Sequence, residues 1–399
     1  MAVLGLRLLA REASAQVAAG AGISYDEAIA LAARVAPDVA VAQRQESVSH
    51  AEVGVAGTYP NPTLIGGTST QAAVFSGTVS LPLVILGQRG AAMRSGRADY
   101  ETVRVDTSVV VNDARAAAAH AFVALWLAER TAGARADAAI VTRRLETAVL
   151  GRVELGASPE VEGLRVRAER LRADADAAEA AELVDAAASG LGLWVGIVDA
   201  RGLRPRGDPT VPELPPPLAD LLPRVSGNPA ARREDFDARA AEVRADRERA
   251  LVRPTLAVDL GADLGDPTLN FVPNYRAQLA MDVPLFNQRG AYIEREKMNR
   301  ELARARGDAQ RKKLGADLTS AYLRFQAVSG REKALREGVV PAADAAAAAT
   351  EESYTMGRAQ LVVVLDAQRT RIEARMSLIE AEASRADDWV DVMQATAWR

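Results

Sequence analysis

Two kinds of hydrophobic pattern alternate along the chain of 399 residues. Long segments carry apolar residues at alternating spacings of three and four, which is the seam of a coiled coil. Short segments alternate apolar and polar residues with a period of two, which predicts half-exposed β-strands. The clearest long seam has one polar interruption, at Glu332, and consists of Leu314, Leu318, Ala321, Phe325, Val328, Leu335 and Val339. The pattern therefore predicts long helices joined by short strands.

The period-two segments separate polar from apolar side chains. Successive side chains of a strand point to opposite faces, so each segment presents one polar face and one apolar face. The polar face is predicted to carry Asp259, Arg276, Gln278 and Asp282, and the apolar face Leu256, Val258, Leu279 and Met281. A soluble sheet would show the same alternation.

The second half of the chain repeats the first half in order. Pro37 and Pro62 have counterparts 192 positions later, Pro229 and Pro254. Leu81-Pro82-Leu83 corresponds to Val283-Pro284-Leu285 at an offset of 202. Further along, Gln88-Arg89-Gly90 recurs at an offset of 200, Ala121-Phe122 corresponds to Ala321-Tyr322 at the same offset, and Gly156 corresponds to Gly357 at 201. Chance matches would not stay collinear, so the sequence predicts a duplicated unit.

Each repeat reads as a helix, a β-hairpin, a long helix and a return helix. The first repeat covers 24–198, with its hairpin at 62–84, and the second covers 228–397, with its hairpin at 254–286. The opening segment 25–57 is predicted to form one helix. Each long helix of about 66 residues would span ~100 Å. The segment 199–227 is rich in proline and is predicted to be a surface connector.

The predicted strands suit a membrane. Nine to twelve residues is roughly the length of a tilted membrane strand, and aromatic residues stand near the strand ends, as interfacial girdles require. These aromatics are Tyr59, Phe75, Phe271, Tyr275 and Phe286. Four strands cannot close a barrel and would leave edges exposed to lipid. Three chains would supply about twelve strands, an even number within the known range.

Composition excludes several classes of function. Alanine is abundant, aromatics make up only 4%, and the formal net charge of −4 argues against a nucleic-acid partner. There are no cysteines, so a disulfide framework and a cysteine metal site are excluded. The two histidines, His50 and His120, are far apart. No catalytic or cofactor motif is present, so the sequence predicts neither an enzyme nor a cofactor.

The amino terminus allows two interpretations. Residues 2–10 are apolar but interrupted by Arg7, and Ala13-Ser14-Ala15 has the small-x-small form of a cleavage site. The segment is either the remnant of a secretory signal or a frayed end. No run of 18 apolar residues occurs in the sequence, so no transmembrane helix is predicted.

From Ser24 to Ala397 the chain resembles the TolC-type outer membrane efflux proteins. The resemblance rests on the duplicated plan, on Asn61-Pro62-Thr63-Leu64 and on two motifs of the second repeat, Tyr354-Thr355-Met356-Gly357-Arg358 and Leu365-Asp366-Ala367-Gln368-Arg369-Thr370. It implies a homotrimer with a shared twelve-stranded transmembrane barrel in the outer membrane and a long helical tunnel in the periplasm. It also implies an inner-membrane pump and a periplasmic adaptor as partners.

Three stretches are similar to the heavy-metal branch of that family, the outer components of cobalt–zinc–cadmium efflux systems. They are Leu86-Gly87-Gln88-Arg89, the run from Pro284 to Gly290, and the run from Gly156 to Glu162. The resemblance therefore implies a passive exit duct for small solutes, with divalent metal cations as one class. Two alternatives stay open: an exit duct for type I protein secretion, and a soluble structural coiled-coil protein.

The resemblance also implies roles for particular residues. Asp366 falls on the acidic position that constricts the periplasmic mouth, and Glu162 falls near a second one. A further acid of the family, three residues before Asp366, is replaced by Val363. Arg358 and Gln368 are expected to hold Asp366 by hydrogen bonds. The periplasmic tips, which would contact the adaptor, comprise Gly156, Ser158, Gly357 and Arg358. On the strands, the polar set would face the barrel lumen and the apolar set the lipid.

Overall fold

The computed structural model describes residues 22–68, 75–265 and 272–398. The possible signal remnant at the amino terminus and the girdle residue Phe271 lie outside these residues. The helices are α1 Tyr25–Val35, α2 Pro37–Ala56, α3 Gln88–Glu154, α4 Glu160–Val195, α5 Leu218–Leu221, α6 Pro229–Ala250, α7 Gly290–Ala334, α8 Val340–Thr355 and α9 Leu361–Ala395. The strands are β1 Gly22–Ile23, β2 Thr63–Thr68, β3 Phe75–Leu83, β4 Arg204–Pro205, β5 Thr255–Leu264 and β6 Asn274–Asp282.

The first predicted helix is in fact two helices. Ser24 caps the start of α1 in a capping box with Glu27. The helix ends at Ala36, whose backbone is extended at φ −54° and ψ 139°. The cause is Pro37, because a proline ring disfavours the helical conformation of the residue before it. Pro37 itself opens α2, where its missing N–H removes no intrahelical bond. The prediction of one helix over 25–57 was therefore wrong.

The long helix of the second half contains a π-helical turn. Leu335–Val339 forms this turn between α7 and α8, and Pro341 follows at the start of α8. A proline inside a helix removes one backbone donor and crowds the preceding turn, so a local change of winding is favoured there. Glu332, the polar interruption of the seam, is buried and pairs with Arg336 at 2.7 Å and Arg385 at 3.1 Å.

Within the described residues, β2, β3, β5 and β6 form one antiparallel sheet in that order, and β1 pairs with β4 in parallel. β2 and β3 lie inside the predicted hairpin 62–84, and β5 and β6 lie inside 254–286. The predicted fold class, mainly α with a small β part, is confirmed. One chain does not close a barrel, because its sheet ends in two edge strands, β2 and β6.

The chain forms two compact units, and each draws on both sequence repeats. Unit one comprises 1–41, 110–228 and 313–399, and unit two comprises 42–109 and 229–312. Unit one has cores around Phe122 and Leu191 and around Leu318 and Phe325. Unit two contains the sheet. The repeat boundaries at 24–198 and 228–397 stay a prediction.

The proline-rich segment 199–227 is more than the surface connector that was predicted. It contributes β4, α5 and a short 3-10 turn, Leu222–Gly227. Its apolar residues are buried in the cores of unit one: Ala200, Leu203, Leu221 and Val225. Prolines prevent a long element here, but the leucine and valine side chains between them still pack.

Candidate functional site

Two helix turns of unit one are built in the same way. Gly156 lies between α3 and α4, Gly357 lies between α8 and α9, and both have φ of 72°. After each glycine, a backbone N–H closes the last turn: Ala157 donates to the Arg152 carbonyl oxygen and Arg358 to that of Ser353, both at 2.8 Å. This pattern is the Schellman ending, in which glycine adopts the left-handed backbone without a steric penalty.

Arg152 joins the two turns. Its Nη1 donates to the backbone oxygen of Tyr354 at 2.8 Å, and its guanidinium carbon lies 4.8 Å from the centre of the Tyr354 ring. Its Nε also donates to the Ser158 hydroxyl at 3.3 Å, on the first turn. Tyr354 is 3% exposed, and burial raises the pKa of its phenol. One arginine thus holds a charge-assisted bond and a cation–π contact across the turns.

Glu162 takes part in the same cluster. It lies in the first turn of α4, half-buried, and accepts a hydrogen bond from the Tyr354 hydroxyl at 3.4 Å. Its carboxylate therefore faces the contact between the turns. Beneath the cluster lies an apolar core made of Leu145, Val149, Val166, Tyr354, Leu361, Val364 and Leu365.

Asp366 lies on the exposed side of α9, facing away from the apolar core to which Leu361 and Val364 belong. Its backbone oxygen accepts from the Thr370 hydroxyl at 3.0 Å, but its carboxylate has no partner among the described residues. The expected bonds from Arg358 and Gln368 are not formed within one chain. Gln368 is buried and points to Glu351, at 3.5 Å, and the Arg358 side chain is exposed with no partner among the residues described. One helical turn before Asp366, Val363 is 48% exposed.

The strands of unit two separate apolar from polar side chains as their pattern predicts. In an antiparallel sheet, directly opposite residues lie on the same face. Leu256 stands opposite Met281, and Val258 stands opposite Leu279. β3 continues this apolar face, because Leu81 stands opposite Val258. The predicted lipid-facing residues therefore share one face.

The other face of the sheet is polar and internally bonded. Asp259 stands opposite Gln278 and accepts a hydrogen bond from its amide at 3.2 Å. Arg276 pairs with Asp263 at 3.0 Å, and Asp282 stands opposite Thr255. The predicted lumen residues thus share one face as well. Which face meets lipid stays a prediction.

Sequence reasoning missed Arg152, whose importance depends on a partner about 200 residues away in the chain. Tyr354 belonged to the family motif, but its role in the contact was not foreseen. Among the described residues, no three metal-binding side chains are grouped as a metal site, and no helix combines the length and apolar content needed to cross a membrane.

The family model of outer membrane efflux proteins matches residues 226–397, the whole of the second repeat. This match covers somewhat less than half of the chain. A relative in Cupriavidus metallidurans, the cobalt-zinc-cadmium resistance protein CzcC, is 24% identical over 362 residues, which cover 89% of this chain and 85% of CzcC. The resemblance inferred from the sequence motifs is thereby confirmed.

Solved structures agree with this match at the level of the fold. A membrane protein from Pseudomonas aeruginosa superposes with a TM-score of 0.77 at 15% identity, covering 93% of this chain and 90% of that one. The CmeC outer membrane channel of Campylobacter jejuni gives 0.75 at 14% identity, covering 94% and 85%. The family match, the likeness to CzcC and this fold together support an outer-membrane channel component of an efflux system.

Proposed function

We propose that three copies of this channel form a duct for divalent metal cations, with Asp366 as the charged ring at its narrowest point. The exposed Asp366 carboxylate, which has no partner among the described residues, carries this proposal. Three such groups around one axis would concentrate negative charge in a narrow aqueous space. A ring of acids attracts cations and so favours their passage.

Assembly from three copies is supported by the sheet. Its edge strands β2 and β6 are exposed along their whole described length. Open edges do not persist in the hydrocarbon region of a membrane. Three sheets would give about twelve strands, with the apolar face of Leu279 and Met281 towards lipid and the polar face of Asp259 and Gln278 towards the lumen.

The adaptor and pump complete the proposed system. The two turns at Gly156 and Gly357 lie at the ends of long helices, and Ser158 and Arg358 stand beside them. An adaptor that binds these turns would act directly on the contacts of Arg152 with Tyr354 and Ser158, here called the Arg152 clamp. Through α9 it would also act on Asp366. Glu162 would contribute as the second acid, held in the clamp by Tyr354.

Metal as the solute is supported by the similarity to CzcC, a cobalt-zinc-cadmium resistance protein. The test uses a cell that lacks its own outer-membrane component and expresses this chain with a cognate pump and adaptor. We expect restored growth in zinc, cobalt or cadmium. Restored resistance to organic dyes without resistance to metals would overturn the proposed solute class. Export of a polypeptide would instead favour secretion.

The role of Asp366 is tested by single-channel recording in planar bilayers. Asp366→Asn should lower the preference for cations over anions. Val363→Asp should raise it, because it adds a carboxylate one turn away on the same exposed side of α9. Unchanged selectivity in both variants would mean that the charged constriction lies elsewhere.

A further inference from the structure

We propose that a cleft of unit one binds a small organic carboxylate with a flat apolar body, and that Arg115 and Trp398 hold its carboxyl group. The cleft is separate from the acids of the proposed duct, because neither Asp366 nor Glu162 lines it. The channel would therefore bind a small molecule that is not the solute it exports.

The cleft has a volume of about 380 Å³ and lies where α1, α3 and the carboxyl end of α9 meet. Its apolar walls are formed by Tyr25, Ile29, Trp389, Met393 and Trp398. Small-molecule sites are typically clefts of roughly 300–1,000 Å³ with mostly apolar walls and a few polar groups that orient the ligand. The size and lining of this cleft meet that description.

Two of the aromatic walls are held in place by other rings. Tyr25 is 6% exposed and meets Phe122 edge-on, with ring centres 5.5 Å apart. Trp389 is buried, and its ring centre lies 5.4 Å from that of Phe325. Because these walls are already ordered, a ligand would not have to order them on binding. Ring walls of this kind favour a flat apolar ligand.

Arg115 is a cation without a counter-ion. Its side chain is half-buried on α3, and it has no hydrogen bond or ion pair within the part of the chain that the structure describes. Arg385, which is also half-buried, instead binds Glu332 at 3.1 Å and the Pro212 carbonyl oxygen at 2.8 Å. A carboxylate would complete Arg115, since a guanidinium and a carboxylate can form two parallel hydrogen bonds.

Trp398 contributes a second donor that lacks an acceptor. Its indole Nε1 is buried and has no hydrogen-bond partner among the described residues. Buried N–H groups are nearly always paired in folded proteins, so an acceptor is expected at this position. Ala397 and Trp398 also have left-handed backbones, with φ of 57° and 60°. Such strain in residues other than glycine persists where the surroundings enforce it, and it is frequent at ligand sites.

The polar groups of the cleft require a ligand that accepts hydrogen bonds. Arg115 and the Trp398 indole can only donate. The Tyr25 hydroxyl also lacks a partner in the described structure, and burial raises the pKa of its phenol, so it remains a donor. Asp26, the acid of the lining, is exposed, and water therefore screens its charge. A carboxylate supplies both the acceptors and the negative charge that Arg115 lacks.

The test measures binding of 2-naphthoate to the full chain in detergent by isothermal titration calorimetry. 2-Naphthamide is the uncharged analogue of the same shape, and 2-naphthylmethylamine is the cationic one. We expect the wild-type chain to bind the carboxylate about tenfold or more tightly than the amide, because the amide cannot form a charge-assisted bond to Arg115.

Two variants connect this binding to the cleft. Arg115→Gln should lower the affinity for 2-naphthoate about tenfold or more. Trp398→Phe keeps an aromatic ring but removes Nε1, and it should lower the affinity several-fold. Arg34→Gln is the matched control, because Arg34 is an exposed arginine of unit one that has no partner among the described residues and does not line the cleft. It should bind like wild type.

Each outcome bears on the proposal. Preference for the carboxylate together with weaker binding in Arg115→Gln, but not in Arg34→Gln, supports it. Equal weakening in the two arginine variants would show general attraction by surface charge and would overturn the site. Tighter binding of the amide or the amine overturns the carboxylate class, and no binding of 2-naphthoate at millimolar concentration overturns the whole proposal. If Arg115→Gln does not fold, the comparison of carboxylate with amide and the Trp398→Phe variant decide the matter.

Discussion

The Arg152 guanidinium lies over the ring of Tyr354 and also donates to its backbone oxygen, so one pair of residues connects the turn at Gly156 to the turn at Gly357. Replacing Arg152 by alanine removes a charge-assisted bond and the cation–π contact, about 1–3 kcal/mol for the hydrogen bond alone. If this clamp holds the closed state, Arg152→Ala should raise the frequency of channel opening. Single-channel recording measures this directly.

Arg358→Ala is the matched control for Arg152→Ala. Both remove an arginine near a turn, but Arg358 has no side-chain partner among the described residues. We expect its opening frequency to stay at the wild-type value. Equal opening in the two variants would show that the clamp is unrelated to gating.

The turn glycines give a prediction on stability. Gly156 has φ of 72°, so Gly156→Ala should destabilise the fold by roughly 1–2 kcal/mol through backbone strain alone, since no atom lies within 4 Å of an added Cβ. Gly151, five residues earlier inside α3, also has open space around an added Cβ. There the alanine should stabilise by roughly 0.8–1 kcal/mol, because glycine is the poorer helix former. Thermal unfolding should therefore shift in opposite directions.

The faces of the sheet predict opposite tolerance to charge. Leu279→Arg or Met281→Arg should impair assembly by roughly 2–4 kcal/mol per site near the bilayer midplane, whereas Gln278→Arg should be tolerated. The fraction of trimer in outer-membrane extracts reports the difference. Equal damage at Leu279 and Gln278 would mean that the apolar face does not meet lipid.

His120 makes stability depend on pH. Its Nδ1 lies 2.8 Å from Asp387 and its Nε2 lies 3.3 Å from Asp391, and hydrogen bonds to these carboxylates raise its pKa from 6.5 to about 9. Because the folded pKa is the higher one, this contribution is complete below pH 6.5 and is lost as pH rises through 9. The melting temperature should fall over that window.

His120→Gln identifies the source of that pH dependence. The variant should melt below wild type at pH 6 and approach it above pH 9, because its side chain cannot carry the charge that Asp387 and Asp391 stabilise. A difference that stays constant across the window would assign the effect to packing.

Local signals in the sequence predicted much of the fold. Period-two alternation in 275–283 correctly predicted which of these residues share a face of the sheet. The matched prolines predicted sequence offsets that also relate the registers of the two hairpins. The break at Ala36 was missed, because Pro37 is equally acceptable as the first residue of a helix and the apolar pattern continues through it. The burial of Leu203 and Leu221 was missed, because proline-rich composition reports on backbone regularity and not on what the side chains touch.

The site was less accessible to sequence reasoning. The family resemblance pointed to Asp366 and Glu162, but their different surroundings depend on which face of α9 and α4 each occupies. Arg152 could not be found, because its bond to Tyr354 joins residues on different helical hairpins. The bonds expected from Arg358 and Gln368 are absent although both residues are close to Asp366 in sequence. Arg358 lies in the turn before α9, and Gln368 lies on the buried side of α9 whereas Asp366 lies on the exposed side.

The π turn at Leu335–Val339 lies where the alignment of the two halves changes. Ala121 and Ala321 differ by 200 positions, whereas Gly156 and Gly357 differ by 201. The second half thus carries one additional residue between these points, and a π turn is the winding that accommodates one extra residue without ending a helix. The one-residue difference between the two halves would therefore be accommodated at this turn. Because the widened turn absorbs that residue, the two Schellman endings keep the same geometry.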